Sequence, residues 1–482
     1  MDSRRSQPAD RCVEPRAVAR RGWVVGLLLG FIAASFPATQ AAGAALPALS
    51  MQTLYEFASN PKNPHAGLVQ ANDGNFYGTT QFGGGASGEN GTIFRMTPDG
   101  RVAPLFYFDG TNGSCPLAGL IQGSDGRLYG TAALGGSNAN NGTIFKITTD
   151  GFAFTLLHSF TGADGRCPMA GLVQGTDGSF YGTTAYGGAS NGTNGTVFKI
   201  TSTGGFTPLY SFPSNGRNGR SPLGSLIQST DGNFYGTTSA GGASGENGTV
   251  FKITPSGTFS SLFTFNDANG SFPAAGLVRA ADGNFYGTTQ LGGQNENGTV
   301  FRITPSGALT TLFFFTGPNG NYPVAPLALG NDGNFYGTTG GDAIFGGANT
   351  FGTAFRITPA GGLTTLISFY STNGACPVAG LTRGNDGNFY GTTFQGGRNT
   401  GGTIFRLIER PVLSGTNAGG GRVTLSWNSF SNGVYQVDYK PTVVTPTWTP
   451  LVMNVTAKST RTSITNSLQG ATLRFYRVGL LP

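Results

Sequence analysis

Asp73-Gly74-Asn75-Phe76-Tyr77-Gly78-Thr79-Thr80 decides how this chain reads. Asp-Gly is a strong signal for a tight hairpin turn, and the aromatic residues and threonines after it suit a buried strand. The segment, or a close variant, occurs seven times, opening at Asp73, Asp125, Asp177, Asp231, Asp282, Asp332 and Asp386. The spacings are 52, 52, 54, 51, 50 and 54 residues. Self-similarity at such a period marks a repeat architecture.

Working outward, each copy follows Pro-x-x-Gly-Leu-Val-Gln or a variant. Each precedes a loop that usually carries Gly-Gly, then Gly-Thr-Val-Phe-Lys-Ile-Thr-Pro-Ser-Gly, then an aromatic run such as Leu312-Phe313-Phe314-Phe315. That predicts four strands per repeat. Strand A is the Gly-Leu-Val-Gln run and strand B is Phe-Tyr-Gly-Thr-Thr. Strand C is Thr-Val-Phe-Lys-Ile-Thr and strand D is the aromatic run. Both the A–B and the C–D links are tight turns. No helical period is sustained, so tandem four-stranded meanders are expected.

The array opens with Leu54-Tyr55-Glu56-Phe57, which matches strand D. It ends after Ile404-Phe405-Arg406-Leu407, which matches strand C. The first strand can thus complete the last unit and remove two exposed sheet edges. The fold class expected is all-β: a seven-bladed β-propeller over residues 51–408, closed by an N-terminal strand, then a small β-sandwich over 412–482.

Composition agrees. Charged residues are only 11% of the chain and aromatic residues 12%, which excludes a coiled coil and a charge-rich disordered tail. The formal charge is +7, but residues 1–50 carry +3 and residues 409–482 carry +5, leaving the repeats near −1. With no basic block in the repeats, no nucleic-acid partner is expected.

Arg16, Arg20 and Arg21 precede an apolar run from Trp23 to Phe36, and Ala42-Gly43-Ala44 follows. This pattern predicts a cleaved signal peptide over residues 1–44 and an exported, extracellular or envelope-associated protein. No transmembrane segment is expected after cleavage. Cys115, Cys167 and Cys376 remain, each before a proline at the same repeat position. Equivalent positions in neighbouring repeats usually lie too far apart for a disulfide, so buried thiols are expected.

The repeats resemble the GloVer-type tandem repeats of exported bacterial "choice-of-anchor" proteins. The motifs that carry the resemblance are Gly-Leu-Val, Asp-Gly-Asn-Phe-Tyr-Gly-Thr-Thr, Gly-Gly and Gly-Thr-Val-Phe-Lys-Ile-Thr, over about three quarters of the chain. A looser similarity runs to the propeller repeats of two-component sensor ectodomains. The resemblance implies an extracytoplasmic propeller and no particular reaction. This chain departs from those proteins in having no obvious C-terminal sorting signal.

From about Pro411 the repeat stops, with residues 408–416 as the expected linker. Val423-Thr424-Leu425-Ser426-Trp427, Val434-Tyr435-Gln436-Val437-Asp438-Tyr439 and Phe475-Tyr476-Arg477-Val478 read as alternating strands. Together they resemble a fibronectin type III-like module.

Catalytic chemistry has little to stand on. His65 lies just before strand A, and His158 occupies an aromatic position in strand D, where packing explains it. No zinc spacing and no nucleophile elbow occurs, so no catalytic residue, metal or cofactor is assigned. The seven Asp-Gly turns lack the closely spaced acids of a calcium loop. Strand C carries one cation per unit: Arg95, Lys146, Lys199, Lys252, Arg302, Arg356 and Arg406. Occurrence in every unit indicates scaffold, and each cation is expected to reach the turn Asp or backbone carbonyls. The Asn-Gly-Thr triplets read as turn formers rather than glycosylation acceptors.

Function is therefore expected on the B–C and D–A links, which share one end of the sheets and vary between units. Their aromatic residues Phe82, Tyr186, Phe272, Tyr322, Phe345 and Phe394 are the candidate ligand contacts. The same rings could instead plug the funnel between blades. The expected function is non-catalytic binding of carbohydrate or an extracellular protein. The alternatives are a structural spacer and a polysaccharide lyase or hydrolase.

Overall fold

The computed structural model describes residues 49–482 except 59, 85–89, 138–139, 189–193, 244, 346–349, 410–412, 420–421, 429–433, 441–448, 458–460, 468–474 and 481–482. The expected signal peptide lies outside the described residues. The chain is all-β, a propeller-like array of four-stranded antiparallel sheets.

Among the described residues the repeats form seven such sheets. Sheet 3 shows the pattern: strands A to D are Val173–Gln174, Phe180–Thr184, Thr196–Ile200 and Phe206–Ser211, paired in chain order. Sheet 7 is built from both ends of the array. Its strands A to C are Thr382–Arg383, Phe389–Thr393 and Thr403–Glu409, and strand D is Leu49–Glu56.

Alternation along strands B and C sets which side chain meets which neighbour. Phe180, Phe198 and Ile200 pack with Tyr129 and Ile144 of the preceding sheet. Tyr181 and Val197, on the opposite face, pack with Phe234, Phe251 and Ile253 of the next. The same contact recurs where Tyr390 and Ile404 of sheet 7 meet Phe76, Phe94 and Met96 of sheet 1. Both faces are buried, so strand B has no exposed residue and reads as a continuous apolar run.

Two glycine positions are set by close approach. A Cβ on Gly182 would stand 2.5 Å from Cζ of Phe198 and 2.9 Å from Leu172, so the strand C ring lies flat across the strand B backbone. At the start of strand A, a Cβ on Gly67 would lie 2.8 Å from the carbonyl oxygen of Gly380 in sheet 7. Strand A is two residues long in every sheet rather than the expected Gly-Leu-Val-Gln run.

The buried first threonine of strand B donates its hydroxyl to a backbone carbonyl of the next repeat. Thr131 reaches Ala170 at 3.2 Å, Thr237 reaches Ala275 at 2.9 Å and Thr392 reaches Ala66 at 3.0 Å.

The C-terminal residues form two three-stranded antiparallel sheets. One holds Leu413–Gly419, Arg422–Asn428 and Arg461–Ser467. The other holds Val434–Lys440, Thr449–Thr456 and Phe475–Leu480. Leu425 and Trp427 of the first meet Tyr435 and Val437 of the second in a buried cluster. The expected linker is shorter than 408–416, because strand C of sheet 7 runs to Glu409 and the next strand opens at Leu413.

Candidate functional site

The two ends of the sheets are built differently. At the turn end, Asp73 and its six equivalents fold their own turns. The carboxylate of Asp177 accepts the amide of Ser179 at 3.1 Å, and Gly178 sits at φ 78°, where a glycine carries no Cβ penalty. The second carboxylate oxygen accepts the hydroxyl of the strand B tyrosine four residues on. This bond is present in all seven sheets, at 2.6–2.9 Å, from Tyr77, Tyr129, Tyr181, Tyr235, Tyr286, Tyr336 and Tyr390.

The strand C cations contribute less uniformly than expected. Lys199 pairs with Asp177 at 2.8 Å and Arg406 with Asp386 at 3.8 Å. Lys146 instead donates to the carbonyl of Ser202 at 2.7 Å. Among the described residues Arg95, Lys252, Arg302 and Arg356 make no ion pair with the turn Asp. Tyrosine is the constant partner because it sits on the same strand as the turn, whereas the flexible cation reaches from the neighbouring strand.

Burial, then the Asp282 carboxylate, pushes the Tyr286 hydroxyl up to about 12. Tyr390 is likewise raised to about 12, by burial and then by the charge of Asp386. Burial works to raise the Asp177 carboxyl. Hydrogen bonds from Lys199, Tyr181 and the Ser179 amide outweigh it and hold the group below its usual value of 3.8.

The loop end repeats its backbone and varies its side chains. The residue before each conserved-position proline takes a left-handed conformation: Asn63, Cys115, Cys167, Ser221, Phe272, Tyr322 and Cys376, with φ from 52° to 61°. Such a φ is unusual for a bulky side chain and marks a constrained position. In five of the seven its amide bonds the carbonyl of an asparagine before a Gly-Thr in the preceding repeat, as Cys115 does to Asn90 at 3.0 Å, whereas Cys376 bonds Phe351 and Asn63 bonds Gly401. Its carbonyl accepts the amide that follows strand B, as Ala133 gives to Cys115 at 3.1 Å. The asparagines therefore serve as carbonyl acceptors in these joints.

Three of the six candidate aromatics converge. Phe82, Tyr186 and Phe272, each partly buried, pack against one cluster of Cys115, Leu134, Cys167, Ala185 and Leu223. The other three lie elsewhere. Phe394 meets the ring of His65 edge-on at 5.7 Å. Tyr322 has its hydroxyl raised by burial, then by the charges of Asp342 and Glu296. Phe345 closes a 3-10 turn, Asp342–Phe345, and its side chain lies outside the described residues. His158 stacks on Phe206 at 4.0 Å and 3°, the aromatic role read from its position, and also meets Asp164 at 2.9 Å.

The sequence reading missed the cations beside this cluster. Lys62 stands over Phe82, 5.9 Å from the ring centroid, and Arg166 over Tyr186 at 5.3 Å. Each cation is two residues before a proline, opposite its aromatic partner in an isolated backbone bridge. Their signal was the break in identity at that position, where other units have Ser114, Arg220, Ser271, Asn321 or Ala375.

Repeated four-stranded sheets, with invariant turns at one end and varied loops at the other, define a propeller-like repeat protein. Residues 42–193, 135–343 and 227–434 match the Gloeobacter/Verrucomicrobia repeat, and the chain belongs to that family. No curated protein matches it. Among solved structures it is similar to the polysaccharide lyase Uly1, at 11% identity and a TM-score of 0.46, over 74% of this chain and 91% of that one. It is similar to the Penicillium chrysogenum alpha-L-arabinanase at 11% identity and a TM-score of 0.41, over 75% and 99%. The gluconolactonase XC5397 of Xanthomonas campestris is 13% identical with a TM-score of 0.39, over 77% and 98%.

Proposed function

We propose that the protein is an exported, non-catalytic binding protein. In this reading the repeats are a closed seven-bladed β-propeller, and residues 413–480 are a fibronectin type III-like sandwich. The pairing of Leu49–Glu56 with strand C of sheet 7, and the Thr392–Ala66 bond, support closure. One observation carries the function. Phe82, Tyr186 and Phe272, each partly buried, pack against a single buried cluster at the end where the backbone repeats and the side chains do not. A rigid ring that presents changed side chains from fixed joints is suited to binding. Aromatic rings on loops whose sequence is rich in Asn, Ser and Gly suit a carbohydrate ligand.

The test is a glycan screen on the secreted chain, with melting temperature followed alongside. A bound glycan that is lost in Phe272→Ala supports the reading. Binding confined to the C-terminal module, or no glycan bound, removes it and leaves the repeats a spacer.

A second reading, glycan cleavage, rests on the arc around Tyr322. Burial and then Asp267 hold the Glu296 carboxyl above its usual range, a property useful in a general acid. Turnover of a polysaccharide that stops in Glu296→Gln would support it.

A further inference from the structure

We infer that Arg166 and Tyr186 form the acid-recognising half of a site for a carboxylated sugar, a uronate, on the aromatic cluster. This rests on the glycan-binding reading and adds the chemical class of ligand. Arg166 lies over the Tyr186 ring at 5.3 Å, and its buried Nε has no hydrogen-bond partner. Among the described residues no acceptor meets its terminal nitrogens either, and no carboxylate pairs with it. The B–C loop of its own sheet, residues 187–195, contains no Asp or Glu. A guanidinium carries five donors in a planar fork that matches a carboxylate, so an Arg held against a ring without an acceptor is prepared for an anion.

The equivalent Arg220 shows the contrast. Its sheet supplies Glu246, and the two form an ion pair. No aromatic faces it either: its bridge partner is Ala240 where Arg166 has Tyr186. At the loop end, among the described residues, charge and ring occur together at two places, Arg166 with Tyr186 and Lys62 with Phe82, and both rings pack on the same apolar floor. A pyranose can stack its apolar face on a ring while its carboxylate meets the guanidinium. A nucleic acid, which needs many phosphates neutralised, finds too few cations on a repeat region near −1.

The experiment uses the full secreted chain and calorimetric titration with oligogalacturonate, a neutral galacto-oligosaccharide of equal length and a dextran sulfate fragment. Oligogalacturonate is expected to bind and the neutral oligomer not. Arg166→Gln should weaken binding about tenfold or more. Tyr186→Leu should weaken it too, and Arg220→Gln should leave it unchanged. Melting curves check that each variant is folded. Equal binding of acidic and neutral oligomers, wild-type affinity in Arg166→Gln, or dextran sulfate binding as well as the uronate would each overturn the inference. Neutral-glycan binding lost in Phe272→Ala would overturn it while leaving the glycan-binding reading intact. No binding to any probe overturns both.

Discussion

The turn end and the loop end of the same sheets obey different rules. At the turn end seven carboxylates meet seven tyrosines at 2.6–2.9 Å, and the side chains barely change. At the loop end the left-handed joint recurs in every sheet, yet its residue runs from Asn63 through Cys115 to Phe272 and Tyr322. One end uses side chains to hold the backbone. The other uses the backbone to hold side chains, and it can afford to vary them because carbonyls and amides close each joint. Uniformity therefore marks scaffold here, and variation on a fixed joint marks the candidate site.

The comparison breaks most sharply through packing. Phe198→Ala, which empties a fully buried position between sheets, should cost about 3–5 kcal/mol in urea unfolding. Phe82→Ala, which removes a partly buried ring at the loop end, should cost clearly less. Equal losses would mean that the floor is core and not site.

Thr392→Val comes next. It leaves the Ala66 carbonyl buried without its donor at the junction of first and last sheets, and should cost about 1–3 kcal/mol. Thr237→Val removes the same bond at an internal junction. A much smaller loss at Thr392 would show that the ring is not continuous there.

The turn end should then give a characteristic pH dependence. Tyr286 and Tyr390 have hydroxyls raised to about 12 from 10.0, so their stabilisation is full below pH 10 and is lost as pH rises through about 12. Asp177 is held below 3.8, so its contribution is full above that pH and is lost as pH falls through the lower native value. Tyr286→Phe should blunt the alkaline loss of stability measured by circular dichroism. Arg166→Gln, at the loop end, should not alter it.

Smallest is the ion pair. Lys199 and Asp177 are partly exposed, so Lys199→Met should cost about 1 kcal/mol or less by thermal denaturation. A larger loss would place the scaffold's weight on the cation rather than on Tyr181.

Much of the fold was legible because its determinants are local. Asp177-Gly178 specifies its turn, and strand B alternates Phe180, Tyr181, Gly182 and Thr183 between two faces wherever it stands. The close approach beside strand A of the first sheet was not legible, since nothing in Gly67-Leu68-Val69-Gln70 reports the Gly380 backbone 2.8 Å from where a Cβ would be. The proposed site was legible only in its aromatic residues. The aromatics announced themselves as changes in varied loops, but Arg166 reads in sequence as one more loop cation.

By itself the sequence determined the repeated unit, its four strands and the turn chemistry that separates them, because hairpin propensity and alternation act between residues a few positions apart. Only the tertiary structure decided which loop residues meet. Phe82, Tyr186 and Phe272 are each more than 80 residues from the next, and a shared floor exists for them only because residues of different repeats pack together at the loop end.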